Sequence, residues 1–325
     1  MMYTSTEIQR LVNDFIARIP NERSPKSLYE PIEYVLSAGG KRIRPVLLLM
    51  SYNLYKDDIT PAMWTACGLE TYHNYTLLHD DLMDKADMRR GRLTVHNKWN
   101  ENTAILSGDS MLVLAYERIA KCDDSKLRAV LDCFTETALE IGEGQQYDMD
   151  FENRNDVSED EYIEMIRLKT SVLLACAMKI GAVLAGADGE DQENLYRFGE
   201  NIGLAFQLQD DYLDVYGDEK VFGKAIGGDI CNNKKTYMLI NACNMATGKD
   251  KTELEALISA KTFDKAEKIK AVTAIYDKLG VGSLALKKIE DYFDVAQKYL
   301  SLVKVDDERK REIGKFAMKL MHRNS

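Results

Sequence analysis

Apolar residues recur along this chain at intervals of three and four. Ile163, Ile166, Val172 and Leu173 form one such stripe, and Leu195, Phe198, Ile202, Leu204 and Leu208 another, the period at which an α-helix turns one face to a core. Strand-like alternation is scarce. Proline usage points the same way: none occurs after Pro61, and helix interiors exclude proline because its ring lacks an N–H and collides with the preceding turn. The pattern predicts an all-α fold. The glycine-rich, charged stretch "YGDEKVFGKAIGGDICNNKKTY" at 216–237 is expected to be a loop between helices. No linker or low-complexity tract divides the chain, so a single domain over residues 1–325 is expected.

Composition narrows the possible partners. The chain has 325 residues, 45% hydrophobic and 30% charged, which is enough for a sizeable core. A formal net charge of −10 argues against nucleic acid, which requires a broad basic face to displace counterions. An anionic ligand must therefore meet locally gathered cations or a metal. The start, "MMYTSTEIQRLVNDF", has no apolar leader, and runs such as "VLLACAM" at 172–178 are too short to cross a bilayer. A cytoplasmic protein without a transmembrane segment is expected. The cysteines at 67, 122, 133, 176, 231 and 243 lack CxxC spacing, which favours reduced, mostly buried thiols over zinc.

Two acidic motifs change the picture. "LLHDDLMDKADMRRGRLTVH" carries Asp80, Asp81 and Asp84, and "QLQDDYLDVYGD" repeats the same DDxxD spacing at Asp210, Asp211 and Asp214. On a helix the first and last Asp of each set fall about one turn apart on one face. A single copy reads equally well as a solvated helix face. Two copies, each behind an apolar segment, favour a hard cation, because oxygen-only donors select Mg²⁺ or Ca²⁺. Neither copy has the glycine turn of an EF-hand. Mg²⁺ commonly takes one or two carboxylates, several waters and phosphate oxygens, so paired clusters suggest Mg²⁺ ions gripping a diphosphate. Arg89 and Arg90 follow the first motif, and "GGKRIRP" upstream offers Lys41, Arg42 and Arg44 as phosphate partners. Taken alone, "GGKRIRP" is better read as a turn opening a helix, with its charges in water.

Together these segments resemble the trans-polyprenyl diphosphate synthases from about residue 25 to residue 240. The family's GGKRxRP stands at 39–45, its first aspartate motif with RRG as "DDLMDKADMRRG", and its GQxxD as "GQQYD" at 144–148. Its KT pair is Lys169 and Thr170, and its FQxxDDxxD is "FQLQDDYLD" at 206–214; its later GK, D and K positions match Lys224, Asp229 and Lys234. Beyond residue 240 only amphipathic, lysine-rich helical sequence is evident.

The resemblance implies a bundle of the isoprenoid synthase type around a central cavity, with the two Asp motifs facing across it, usually as a homodimer. It implies head-to-tail condensation of isopentenyl diphosphate with an allylic diphosphate (dimethylallyl, geranyl or farnesyl), with Mg²⁺, three ions when substrate is bound. Asp80, Asp84 and Asp210 would be direct metal ligands, and Asp81, Asp211 and Asp214 would bind metal or order its water. Arg89, Lys169, Lys224 and Lys234 would bind substrate diphosphate, the first three on the allylic side. Lys41, Arg44, His73 and Arg90 would hold isopentenyl diphosphate, and Thr170 and Gln207 would steady the carbocation through their oxygen dipoles. His79 and His96 are expected to be structural. A class I terpene cyclase would share the all-α fold but would not ordinarily carry a second DDxxD together with GGKRxRP, and a noncatalytic prenyl synthase subunit would usually have lost aspartates.

Product length in this family depends on the residues four and five positions before the first Asp, here Thr76 and Tyr75. One aromatic, with no insertion inside "DDLMD", resembles geranylgeranyl synthases more than farnesyl synthases. C20 is therefore favoured over C15, with Tyr72, one turn deeper, as a second floor.

Overall fold

The computed structural model describes residues 2–20, 23–218 and 226–321. It is all-α, as the periodicity predicts. The helices in chain order are α1 (Ser5–Ala17), α2 (Lys26–Leu36), α3 (Ile43–Asn53), α4 (Met63–Met83), α5 (Val95–Lys98), α6 (Glu101–Ile119), α7 (Asp124–Glu152), α8 (Glu159–Ile166), α9 (Val172–Ala185) and α10 (Gly189–Tyr216). They are followed by α11 (Gly228–Cys231), α12 (Tyr237–Met245), α13 (Gly248–Ser259), α14 (Lys265–Leu279), α15 (Val281–Leu302) and α16 (Asp307–Met321). Among the described residues the only strands are the two-residue pair β1 (Met88–Arg89) and β2 (Arg92–Leu93). Of the loop expected at 216–237, residues 219–225 lie outside the described residues, and the described residues 217, 218 and 226–236 are non-helical apart from the single turn α11.

Local sequence sets several helix starts. Thr4 and Glu7 form a capping box on α1, and Ser158 and Glu161 form another on α8, each satisfying amide donors that the first turn leaves without an intrahelical partner.

The chain forms two compact units. The first comprises Met1–Thr135, Cys176–Tyr196 and Val303–Ile313, and the second Glu136–Ala175, Arg197–Leu302 and Gly314–Ser325. In the first unit α4 packs along α6 and α3. The apolar run that opens α3 and the first half of α4 are almost wholly buried, and Ile32, Leu36, Leu78, Val95, Ala104, Met111 and Leu114 form one core cluster.

In the second unit α8 continues through a π-helical turn at Arg167–Ser171. Helix α10 comes so close to this turn that a Cβ on Gly203 would lie 2.5 Å from Ser171 Cα, so only glycine fits there. Arg167 ties the elements together through Glu164 at 2.8 Å, Glu140 at 3.3 Å and Glu200 at 3.4 Å. The helical run Glu159–Ala185 is, by length and composition, long and apolar enough to cross a membrane, contrary to the expectation drawn from shorter runs, but 78% of its apolar window is buried inside the protein. It is a core helix.

Candidate functional site

Each unit carries one of the two aspartate sets, and in both the set sits at the C-terminal end of a helix. Asp80 and Asp81 lie in the last turn of α4 and Asp84 caps it. Asp210, Asp211 and Asp214 occupy the last two turns of α10. That end of a helix carries partial negative charge, so each carboxylate there costs roughly 0.3–1 kcal/mol unless a cation offsets it.

In the first unit the offset begins with Arg89. Its Nε donates to Asp81 Oδ1 at 2.7 Å and its Nη2 to Asp80 Oδ2 at 3.4 Å. Asp81 is buried, and burial raises its pKa above the usual carboxylate range despite the opposing Arg89 charge. Asp80 is only partly buried and Asp84 is exposed. Arg89 is turned back on the helix end by the β1–β2 hairpin, whose two central residues Arg90 and Gly91 have φ of 52° and 72°, the positive values of a type I′ turn. Arg90 reaches the opposite way and donates to the Gly39 carbonyl, and a Cβ on Gly40 would lie 2.9 Å from its Cζ. The RRG and GGKRIRP segments are thus interlocked.

Beside them Arg44 Nη1 donates to His73 Nε2 at 3.1 Å. A guanidinium cannot accept, so Nε2 is bare and a neutral ring carries its proton on Nδ1. Burial, then the charges of Arg44, Arg90, Arg89 and Arg42, hold the His73 pKa well below its ordinary value. Lys41 is exposed next to this group. Arg42, read from sequence as a possible phosphate partner, is instead buried: it pairs with Glu70 at 2.7 Å and donates to Asn13 and the Leu36 carbonyl. It has left-handed backbone, φ 50°, at the start of α3, and its role is to pin the turn that presents its neighbours.

The three residues proposed to set product length differ in orientation. Thr76 donates its hydroxyl to the His73 carbonyl at 2.8 Å. Tyr72 is buried, its ring 5.1 Å from Phe134 and 5.5 Å from Tyr75. Tyr75 packs against the core cluster and lies 4.9 Å from the His79 ring.

In the second unit the π-helical turn delivers Lys169 and Thr170. Lys169 Nζ donates to Asp148 Oδ2 at 2.6 Å. Burial acts to raise the Asp148 pKa, but the charges of Lys234 and Lys169 outweigh it and leave the group below its ordinary value. Thr170 donates to Gln207 Oε1 at 3.2 Å, and Gln207 Nε2 donates to Asp211 Oδ1 at 3.0 Å. Tyr162 donates to the other oxygen of Asp211. Asp211 is buried, and its pKa is raised to about 7 by burial first and the Asp229 charge second. Asp214 accepts the Asp229 amide at 2.9 Å, which draws the 228–234 segment to this helix end, while Asp210 is partly exposed. Lys234 is exposed on that segment. Lys224 lies outside the described residues.

Among the described residues no three His, Cys, Asp or Glu side chains converge into a closed metal cage. The donor set suits a different occupant. Oxygen-only donors at negative helix ends, with the outer aspartates reaching solvent, fit Mg²⁺ that keeps its waters and completes its shell with substrate oxygens.

The polyprenyl synthetase family profile matches residues 25–276. The chain belongs to the polyprenyl synthetase family. It is 44% identical over 220 residues to a geranylgeranyl diphosphate synthase of Methanosarcina mazei, covering 67% of this chain and 68% of that protein. It is 43% identical over 249 residues to a short chain isoprenyl diphosphate synthase of Methanocaldococcus jannaschii, covering 76% of each. A crystal structure of a geranylgeranyl pyrophosphate synthase superposes with a TM-score of 0.95 at 42% identity, covering 100% of both chains. As a polyprenyl synthetase the chain is a prenyltransferase, and the family uses Mg²⁺. The family match extends past residue 240, where sequence reading found no motif, because that region contributes packing helices.

Two residues that pack against the candidate site residues were given no role from sequence. Asp148 was visible within "GQQYD". Tyr162 gave no signal, since a lone tyrosine at a helix start becomes informative only when Asp211 is found against it.

The depressed His73 pKa has a measurable consequence. The unfolded chain takes up this proton below about pH 6.5 while the folded chain resists it, so the His73 contribution to stability falls as pH drops through that value. The stability gap between wild type and His73→Gln should narrow toward pH 5 by up to about 1.4 kcal/mol per pH unit, measured by denaturant unfolding. A gap independent of pH would show that His73 titrates normally.

Proposed function

We propose that this prenyltransferase condenses isopentenyl diphosphate with an allylic diphosphate (dimethylallyl, geranyl or farnesyl) and releases geranylgeranyl diphosphate in preference to farnesyl diphosphate, residues 1–325 acting as one catalytic domain. The observation that carries the reading is the pair of DDxxD sets on negative helix ends, the first paired with Arg89 and the second under the charge of Lys234. The C20 preference is supported by the single aromatic Tyr75 before an uninterrupted motif and by the names of the similar synthases.

The difficult step is breaking the allylic carbon–oxygen bond, which leaves a carbocation and pyrophosphate. Arg89, Lys169 and Lys224 bind the allylic diphosphate and stabilise charge growing on it, and Lys234 is placed on the same side because its charge acts on Asp148 together with that of Lys169. Lys41, Arg44, Arg90 and the neutral His73 hold isopentenyl diphosphate so that its double bond attacks the cation. Thr170 and Gln207 turn oxygen dipoles toward that cation, and the departing pyrophosphate takes the proton whose loss restores the alkene. Asp80, Asp84, Asp210 and Asp214 would hold Mg²⁺, three ions when substrate is bound, which would supply Lewis-acid neutralisation of the leaving group. Asp81 and Asp211, which the sequence places among the ligands, act by holding Arg89 and the Tyr162–Gln207 pair.

The chain is also proposed to act as a homodimer. Ile105, Leu106 and Val113 on α6 are 43%, 59% and 67% exposed, an apolar face suited to a second copy. Leu106→Glu with Val113→Glu should shift the sedimentation coefficient from dimer to monomer, and an unchanged value would exclude this face.

With isopentenyl diphosphate and an allylic primer, wild type should form prenyl diphosphate. Asp80→Ala and Asp210→Ala should each lower turnover by about 10²-fold or more while leaving the helical circular dichroism unchanged. Near-wild-type activity in either would remove the two-motif requirement, and cyclic hydrocarbon from an allylic substrate alone would favour a terpene cyclase.

Tail length is proposed to be limited by Tyr72 and Tyr75, with Thr76 small enough to admit the chain. Tyr72→Ala or Tyr75→Ala should lengthen the main product by one or more C5 units, because deleting a packed ring opens apolar volume. Chromatography of dephosphorylated products decides it: C20 from both active variants would exclude these rings as the stop.

A further inference from the structure

Lys268 is a buried lysine in the second unit to which the reaction proposed above gives no task. It is only 2% exposed, its Nζ donates to Asn233 Oδ1 at 2.7 Å and lies 4.1 Å from the centre of the Phe263 ring. Among the described residues it makes no ion pair with a carboxylate. Burial lowers its pKa, as expected for an ammonium removed from water. A methionine would fill nearly the same volume without that cost.

What Lys268 holds is unusual. Asn233 has φ 50°, and it ends α11 in a Schellman arrangement: its own N–H donates to the Ile230 carbonyl at 3.2 Å and the Lys234 N–H to the Asp229 carbonyl at 3.0 Å. Glycine normally takes that left-handed position. Both ends of the Asn233 amide are occupied, Oδ1 by Lys268 and Nδ2 by the Ile258 carbonyl at 3.0 Å. An ammonium can only donate, which fixes the amide orientation. The next residue is Lys234, and Asp229 at the other end of the turn donates its N–H to Asp214. Asp211, Asp229, Asn233 and Lys234 line one cavity.

We propose that Lys268 is a positioning residue for the allylic diphosphate: by gripping Asn233 it fixes the turn that carries Asp229 and Lys234 beside the second aspartate motif. This rests on the assignment of Lys234 to substrate diphosphate. A buried charge that is poor for stability persists because the geometry of the neighbouring turn requires it.

The test uses full-length Lys268→Met, Asn233→Gly, the double variant and Lys234→Ala, with steady-state kinetics in each substrate and thermal unfolding. Glycine at 233 keeps the left-handed backbone and removes only the side chain, so misfolding does not confound it. Lys268→Met and Asn233→Gly should each lower kcat/KM for the allylic diphosphate about tenfold, leave KM for isopentenyl diphosphate within about twofold, and combine without further loss, since both break one link. The double variant, which leaves neither Nζ nor Oδ1 without its partner, should have a Tm equal to or above that of Lys268→Met alone. A lowered Tm with both substrates affected equally, or losses that multiply in the double variant, would overturn the proposal. Impaired Lys234→Ala beside wild-type kinetics in Lys268→Met overturns the positioning role alone. Wild-type kinetics in both removes the Lys234 assignment and this proposal with it.

Discussion

Six carboxylates on two negatively polarised helix ends are the constraint from which the rest of the arrangement follows. Helices ordinarily place bases in their last turn, and α4 and α10 instead end in acids with no base in that turn. The arrangement persists only where cations are supplied. Protein cations supply part of the offset: Arg89 returns through the hairpin to Asp80 and Asp81, and Lys234 and Lys169 act on Asp148 beside the second set. The outer aspartates retain access to solvent, and that remaining negative charge suits partly hydrated Mg²⁺.

Both motifs divide the work in the same way. The middle aspartate is buried in each, Asp81 against Arg89 and Asp211 between Tyr162 and Gln207. Burying a carboxylate raises its pKa unless donors offset the lost hydration, and in both cases the shift remains upward. A carboxylate held this way orients its donors, which is the role proposed above for Asp81 and Asp211. The first and last residues of each DDxxD lie one turn apart on one face, which is why the metal is proposed to sit on them.

The all-α fold was legible because periodicity and proline placement are local properties of sequence. The aspartate sets were legible because residues three and four apart share a helix face wherever the helix lies. Arg42 was misread because its fate depends on Glu70 and Asn13, which come from other elements. The π-helical turn was invisible, since nothing in "RLKTS" distinguishes five-residue from four-residue hydrogen bonding until Gly203 of α10 is seen pressed against Ser171. Helix 159–185 shows a further limit: composition alone matches a membrane span, and only its burial shows that protein surrounds it.

The first aromatic position before the motif illustrates how helical phase constrains function beyond spacing. At about 100° per residue, Thr76 lies roughly 40° from Asp80, Tyr72 roughly 80° and Tyr75 roughly 140°. The Tyr75 ring accordingly packs among core residues and against His79, whereas Tyr72 is wedged between Phe134 and Tyr75. A tail running down the Asp80 face passes Thr76 before it meets Tyr72. In the proposed stop Tyr75 backs the Tyr72 ring, and its removal lengthens the product by letting Tyr72 move into the space vacated. Two aromatics three residues apart thus pack as one unit, and in the proposed stop the deeper ring blocks while the shallower one stiffens it.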